Sequence, residues 1–217
     1  MNLQPKRDRP KLMTFAPMVD SECARLLLDH HGIAFDERDH MFGWVSVLTL
    51  FHGGYGRIPL LYGRRVCITS PRKIAEHYDA ALPEERKLIP TEGPLARQVE
   101  ADWETFNGGI GAHTAVFNYY HLLPERELMT PVFQEPVPRL EAKLTPPLYP
   151  VTAWLFRTLL RLSPERAGEA LDAIRAIYDD TDRRVADGRM FLCGDRVTLG
   201  DMALASASAA LLLPPQY

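Results

Sequence analysis

The chain has 217 residues, 46% of them hydrophobic, and a net charge of −3. That is enough apolar material for a real core in one large or two small domains, and the charge gives no electrostatic case for nucleic acid or an anionic membrane. Three cysteines, Cys23, Cys67 and Cys193, fit neither a disulfide framework nor a metal-ligand spacing; with no Cys-x-x-Cys they point to a reducing, cytoplasmic setting without metal or dithiol redox chemistry.

In chain order, Met1–Pro10 is polar and reads as a short leader rather than a targeting sequence. Lys11–Phe15 reads as a strand and Ala16–Val19 as a loop. Asp20-Ser21-Glu22 opens a helix with Cys23, Ala24, Leu26, Leu27 and Leu28 as its apolar residues and Gly32 at its end. Ser21 has a cap reading there, and Cys23 a buried one. Ile33–Arg38 alternates as a second strand, which completes a parallel β-α-β unit. Met41–Phe51 reads as helical, and Gly53-Gly54-Tyr55-Gly56 as a flexible connection. That glycine cluster follows a helix and precedes a strand, the reverse of a phosphate-cradling loop.

The stretch Arg57–Ile74 is the best-punctuated part of the chain. Pro59 opens an apolar run, as proline can at the first residue of a strand, and on that ground alone it is an ordinary trans proline. Gly63-Arg64-Arg65 is turn chemistry, and Val66-Cys67-Ile68 suits a buried strand. Ser70-Pro71 is an N-cap followed by proline at the first helical position, and the helix runs on through Ile74, Ala75 and Tyr78.

Ala80–Gly93, charged and bounded by prolines, reads as a domain linker. Beyond it Trp103, Phe106, Ile110, His113, Phe117 and Tyr120 form one stripe along a helix, with His113 a packed or interface residue and Gly108, Gly109 and Gly111 marking close packing or a bend, or a cleft facing the N-terminal domain. Pro131, Pro136 and Pro138 delimit a loop, Val137–Leu144 is helical, and Pro146-Pro147 with Pro150 break the chain before Val151–Leu162. Ser163-Pro164 starts a helix that continues to about Ala186. Thr198 and Asp201 stand at capping-box spacing, with Val197 and Met202 at staple spacing, and the helix they open is apolar enough to require burial. The most apolar windows, Tyr149–Leu162 and Leu199–Leu213, fall short of the roughly 18 residues of a membrane span.

Two of these stretches carry a resemblance. The order β-α-β-α-β-β-α, with Ile58-Pro59 before its third strand, resembles the thioredoxin-like domain of glutathione transferases. Phe191-Leu192-Cys193-Gly194-Asp195-Arg196-Val197-Thr198-Leu199-Gly200-Asp201-Met202-Ala203 resembles the folding motif of their helical domain. The resemblance runs from about Lys11 to Ala210. It implies a fold of α/β plus all-α class: a thioredoxin-like, glutathione-binding domain at 11–82, then an all-helical domain at 94–217.

It further implies a cis bond at Pro59, glutathione as co-substrate, and conjugation of its thiolate to small hydrophobic electrophiles, a detoxification chemistry. A homodimer is the implied assembly, with no metal, nucleic acid or membrane. Carried onto this sequence, Ile58 offers main-chain groups to the cysteinyl part, Pro59 shapes the loop, Ser70 holds the γ-glutamyl end, and Ser21 stabilises the thiolate. Each pKa unit of that stabilisation is worth about 1.4 kcal/mol.

The sequence also departs from the pattern. The usual Ser or Cys position holds Met18, the Tyr of other classes falls near Thr14, and Asp20 would repel a thiolate. The acidic-Ser pair before the last helix of the domain falls on Ser70 and Pro71, and proline has neither N–H nor hydroxyl. Arg64, Arg65 and Arg72 read as surface residues. The departures give the alternative function: a catalytically silent binding or scaffolding protein of the same fold. The sequence ends soon after the buried helix, where many members of that family carry another, and so reads either as a shortened domain or as a truncated version of one.

Overall fold

A computed structural model of the chain describes residues 9–212. Most of the predicted leader and the proline-rich last five residues lie outside the described residues.

Contacts divide the chain into two compact units. The first runs to Ile74 and includes Glu125–Trp154; the second holds Ala75–Pro124 and the chain from Leu155 onward. The first is built on a four-stranded sheet: β1 (Lys11–Thr14), β2 (Asp36–Asp39), β3 (Leu60–Tyr62) and β4 (Cys67–Ile68), in the order β2-β1-β3-β4. β1 and β2 are parallel, joined through α1 (Val19–His30), and the other two pairs are antiparallel. With α2 (Trp44–Leu50) and α3 (Pro71–Asp79), the element order is the expected β-α-β-α-β-β-α. The core lies on the central strands and α1: Leu12, Met13, Leu60 and Leu61 are buried, as are Leu27 and Leu28.

Local predictions in this unit hold unevenly. The turn after β3 closes with the Gly63 N–H donating to Val66 O at 2.9 Å, and Ser70 caps α3 by accepting from the Lys73 N–H at 3.3 Å. Ile58-Pro59 is cis. The strand expected to be buried at Val66–Ile68 is instead the sheet edge, with Cys67 exposed, because no strand among the described residues pairs beyond it. The predicted flexible glycine connection is a close-packed turn: a Cβ on Gly54 would lie 2.8 Å from Thr49 Cβ and 2.9 Å from Leu60 Cδ2, so only glycine fits.

α6 (Arg126–Gln134) and most of α7 (Arg139–Leu159) belong to this unit, and here the proline rule fails. Pro131 sits inside α6, and α7 runs unbroken through Pro146, Pro147 and Pro150. A proline at 150 cannot donate to the carbonyl four residues back, that of Pro146. Arg126 Nη2 donates to that carbonyl at 2.9 Å, and its guanidinium lies 5.8 Å from the Tyr149 ring centre. The other end of α7 is held by Glu141, whose carboxylate is 2.8 Å from His40 Nδ1 and accepts from the Met41 N–H at 2.7 Å.

The second unit is helical: α4 (Gly93–Trp103), a π-helical turn at Glu104–Ile110, α5 (Gly111–Leu122), α8 (Pro164–Val185) and α9 (Leu199–Leu212). The predicted stripe is buried at Trp103, Phe106 and Ile110, then passes to Thr114 and Tyr119 instead of His113 and Tyr120. The π turn holds more residues than an α turn, which shifts the buried face by about one position. The predicted linker is anchored in this unit. A 3-10 turn at Glu84–Arg86 follows Pro83, Asp79 accepts from the Leu88 and Ile89 amides, and Arg196 donates to the carbonyls of Glu84 and Lys87.

The start of α9 is closed from within. Asp201 accepts from the Thr198 N–H and hydroxyl and from the Leu192 N–H, each at 2.8 Å, while the Leu199 N–H donates to Leu88 O at 3.0 Å. Gly200 lets α4 approach: a Cβ there would stand 2.6 Å from Asp102 Cβ. Asp102, almost fully buried, is paired bidentately by Arg184 (Nη2–Oδ2 2.7 Å) and bonded by Gln98. Cys193 sits beside that pair, its thiol pushed up by burial and then by the Asp102 charge. Ser163 caps α8 as expected, accepting from the Arg166 N–H at 3.2 Å.

Candidate functional site

Each residue the sequence singles out for ligand contact lies beside an end of β1 or β3 or at the start of α1 or α3. The β1–β3 pairing ends at Met13↔Leu60, and the cis Ile58-Pro59 bond lies immediately before β3. Ile58 is half-buried and Pro59 buried. Among the described residues neither the Ile58 N–H nor its C=O has a hydrogen-bond partner. A main-chain donor and acceptor left open in this way, one residue before the buried Pro59, form the two-pronged edge that an extended peptide can pair with.

α1 starts on Met18, which has extended backbone angles and no side-chain hydrogen bond to the first turn. A Ser, Thr, Asp or Asn at that position would take one of the first-turn amides. With methionine, the positive end of the helix keeps its affinity for an incoming anion. Two acidic residues flank this end. Glu22 is neutralised by Arg25 at 2.9 Å, while Asp20 is half-buried in the first turn.

Ser21 is not the helix cap that its position suggested; Met18 is. It lies in the first turn, fully buried, and its Oγ has no hydrogen-bond partner among the described residues. An unanswered buried hydroxyl costs about 1–3 kcal/mol. Cys23, two residues on, is buried as expected.

Thr14, the other hydroxyl near the loop, is committed elsewhere. Its Oγ1 is 2.9 Å from Glu37 Oε1 and also bonds Asp39, and both carboxylates are drawn to Arg25 (Nε–Glu37 2.8 Å, Nη2–Asp39 3.6 Å). Burial, first among the causes, raises the Asp39 carboxyl above its ordinary value, against the lowering effect of the Thr14 hydroxyl. The cluster was readable in part: β2 is Asp-Glu-Arg-Asp, and period-2 alternation puts Glu37 and Asp39 on one face. What the sequence lacked was the register, Thr14↔Asp39.

At the third corner Ser70 is half-buried and its Oγ serves α3 as cap acceptor. Pro71 is the first residue of that helix and brings no donor. Four of the named residues, Met18, Ile58, Pro59 and Ser70, thus lie at strand ends and helix starts of one unit, and Ser21 is buried in the first turn of α1.

No family model and no curated protein matches this sequence. Solved structures do match it in fold. The chain is similar to glutathione S-transferase I from maize in complex with an atrazine glutathione conjugate, at 14% identity and a TM-score of 0.64 over 95% of this chain and 83% of that one. It is similar to a glutathione transferase homologue from Drosophila mojavensis with bound glutathione (15%, TM-score 0.57, 97% and 80% of the two chains). It is also similar to FzlA from C. crescentus (16%, TM-score 0.63, 94% and 78%). The chain has the glutathione transferase fold: a thioredoxin-like N-terminal domain followed by a helical C-terminal domain.

Proposed function

We propose that the thioredoxin-like domain, 11–82, binds glutathione and that the protein conjugates its thiolate to small hydrophobic electrophiles. The observation that carries this reading is the open main-chain pair of Ile58, just ahead of β3, the strand that pairs with β1. Glutathione is an extended tripeptide, and its cysteinyl N–H and C=O are the groups such an edge takes. Two solved neighbours of this fold carry glutathione or its conjugate.

In this reading Ile58 aligns the cysteinyl unit, Pro59 shapes the loop, and Ser70 with the start of α3 receives the γ-glutamyl carboxylate. The sulfur then lies at the start of α1. The uncapped amide end favours thiolate over thiol, and the unanswered Ser21 hydroxyl supplies a donor that also favours it. The reaction is nucleophilic: the thiolate forms a carbon–sulfur bond, and the leaving group departs with the electron pair. Excluding water from the sulfur strengthens each of these contacts.

Calorimetric titration of the full chain with glutathione, paired with an assay on an aryl halide, tests the reading. Binding together with turnover supports conjugation. Binding without turnover supports the second reading, a silent binding module, which Pro71 and Met18 favour because each removes a side-chain contact. No binding at millimolar glutathione overturns both.

A further inference from the structure

The outer face of α7 is the largest feature that the glutathione reading leaves unused. An α-helix turns about 100° per residue. With Arg139 as zero, the buried Glu141, Thr145, Tyr149 and Ala153 fall between about 200° and 320°. Trp154, Pro147, Leu140, Val151 and Leu144 fall between about 60° and 140°, on the opposite side. There Trp154, Leu140, Val151 and Leu144 are 62%, 72%, 59% and 44% exposed. A helix packed on one side needs a polar face on the other, and this one is apolar on both.

The charges of α7 are just as one-sided. Arg139, Lys143 and Arg157 are exposed and lie within about 40° of one another, along one border of the outer apolar row. None of the three has an ion-pair partner among the described residues. The acid of α7, Glu141, lies on the buried side, tied to His40 and the Met41 amide. α6, which carries the exposed acids Glu127 and Glu135, meets α7 through Phe133 at Tyr149, again on the buried side. The net charge of −3 is a sum over the whole chain. The exposed charges of α7 itself are all positive.

We propose that α7 docks the protein onto an anionic lipid surface, lying in the plane of the interface. Trp154, Leu140, Val151 and Leu144 enter the boundary between headgroups and acyl chains, and Arg139, Lys143 and Arg157 reach the anionic headgroups. Tryptophan and leucine on one face with free cations beside them are the chemistry of an in-plane interfacial helix. The 21 residues of α7 lay about 30 Å of helix along the surface. A flat bilayer accepts a straight apolar ridge without a matching groove, whereas an acidic protein would have to supply one. The mode is surface contact, since no helix among the described residues is long and apolar enough to cross a membrane. The family resemblance implied no membrane, and this contact requires neither glutathione binding nor turnover.

Co-sedimentation of the full chain with phosphatidylcholine vesicles, with and without about 30% phosphatidylserine, tests it. Half-binding is expected at about 1 mM anionic lipid or below, at least about tenfold tighter than on pure phosphatidylcholine, and weakened by salt. Each cation removed should weaken binding about fivefold, so Arg139→Gln, Lys143→Gln and Arg157→Gln together should weaken it about 100-fold. Leu144→Glu with Trp154→Glu should abolish it, and because every substituted position is exposed, circular dichroism and Tm should not change. Brominated lipid should quench the tryptophan emission of the bound protein, and Trp154→Phe should remove most of that quenching while leaving the protein bound. No binding to anionic vesicles at about 1 mM lipid would overturn the proposal. So would binding indifferent to both sets of substitutions, or quenching that survives Trp154→Phe, which would move the contact to exposed Trp44 on α2. A protein that ignores vesicles but self-associates or captures soluble polyglutamate until these residues are changed would give the face to a second copy or an acidic protein, and would overturn it as well.

Discussion

At the start of α9, Asp201 and Leu88 O answer the amides of Leu192, Thr198 and Leu199 from inside the same unit; at the start of α1, the Met18 carbonyl takes the Ser21 and Glu22 amides but its side chain gives no cap, and the Ser21 hydroxyl has no partner among the described residues. Both helix starts are embedded in protein and both face the same physical problem of unanswered donors. The first is solved by residues of the chain, which suits a structural role. The second keeps no side-chain cap and a buried hydroxyl without a partner among the described residues; in the proposed function an anionic sulfur is the group whose charge matches that end.

The strongest way to break this contrast is at the closed site. Arg184→Ala leaves the Asp102 carboxylate buried without its cation and should cost about 3–5 kcal/mol, read as a fall in Tm and in denaturant midpoint, with glutathione affinity per folded molecule unchanged. Asp201→Ala strips three hydrogen bonds from the α9 start and should cost about 2–3 kcal/mol in the same assay.

At the open site the expected pattern reverses. Ser21→Ala removes a hydroxyl with no protein partner, so stability should hold or rise, while the bound glutathione thiol should titrate about one unit higher, with turnover near neutral pH reduced about tenfold. Met18→Asp supplies the missing cap and should stabilise the protein by about 1 kcal/mol. The same carboxylate should weaken glutathione binding, because it occupies the amide end and repels the sulfur. A variant that gains stability without losing affinity would remove α1 from the site.

The smallest effect concerns the segment ahead of α4. Glu84 is lowered from 4.5 to about 2, first by the hydrogen bond from the Thr91 N–H and next by Lys87. A depressed carboxyl contributes stability that is present above its unfolded value and lost as pH falls towards the folded one. Acid unfolding between about pH 4.5 and 2 should therefore carry a Glu84 component, and Glu84→Gln should flatten it.

The fold was legible where local chemistry and tertiary structure agree. Ser70-Pro71, Ser163-Pro164 and Thr198 with Asp201 mark helix starts that the structure keeps, and Gly32 ends α1 with positive φ. It was not legible where a distant residue repairs a local fault. Nothing adjacent to Pro150 announces that Arg126 will answer the carbonyl freed there, so the prolines of α7 read as a break. The π turn at Glu104–Ile110 moves the buried face by one residue, which a fixed 3.6-residue period cannot foresee. Edge position decided Cys67, and pairing order cannot be read from a single strand. For the candidate site, the placing of Ile58, Pro59 and Ser70 at strand ends and helix starts was readable through the family resemblance. The commitment of Thr14 to Glu37 and Asp39 was not, because it depends on register across β1 and β2.

The central claim is that the open start of α1 receives the glutathione thiolate. Parallel calorimetric titrations with glutathione and S-methylglutathione between about pH 6 and 9 test it directly, since only the first ligand can ionise at sulfur. The expected result is glutathione binding at about 1 mM or tighter, with an advantage over the methylated ligand that grows as pH rises. Equal affinity for the two at every pH, or no binding of either, would contradict it.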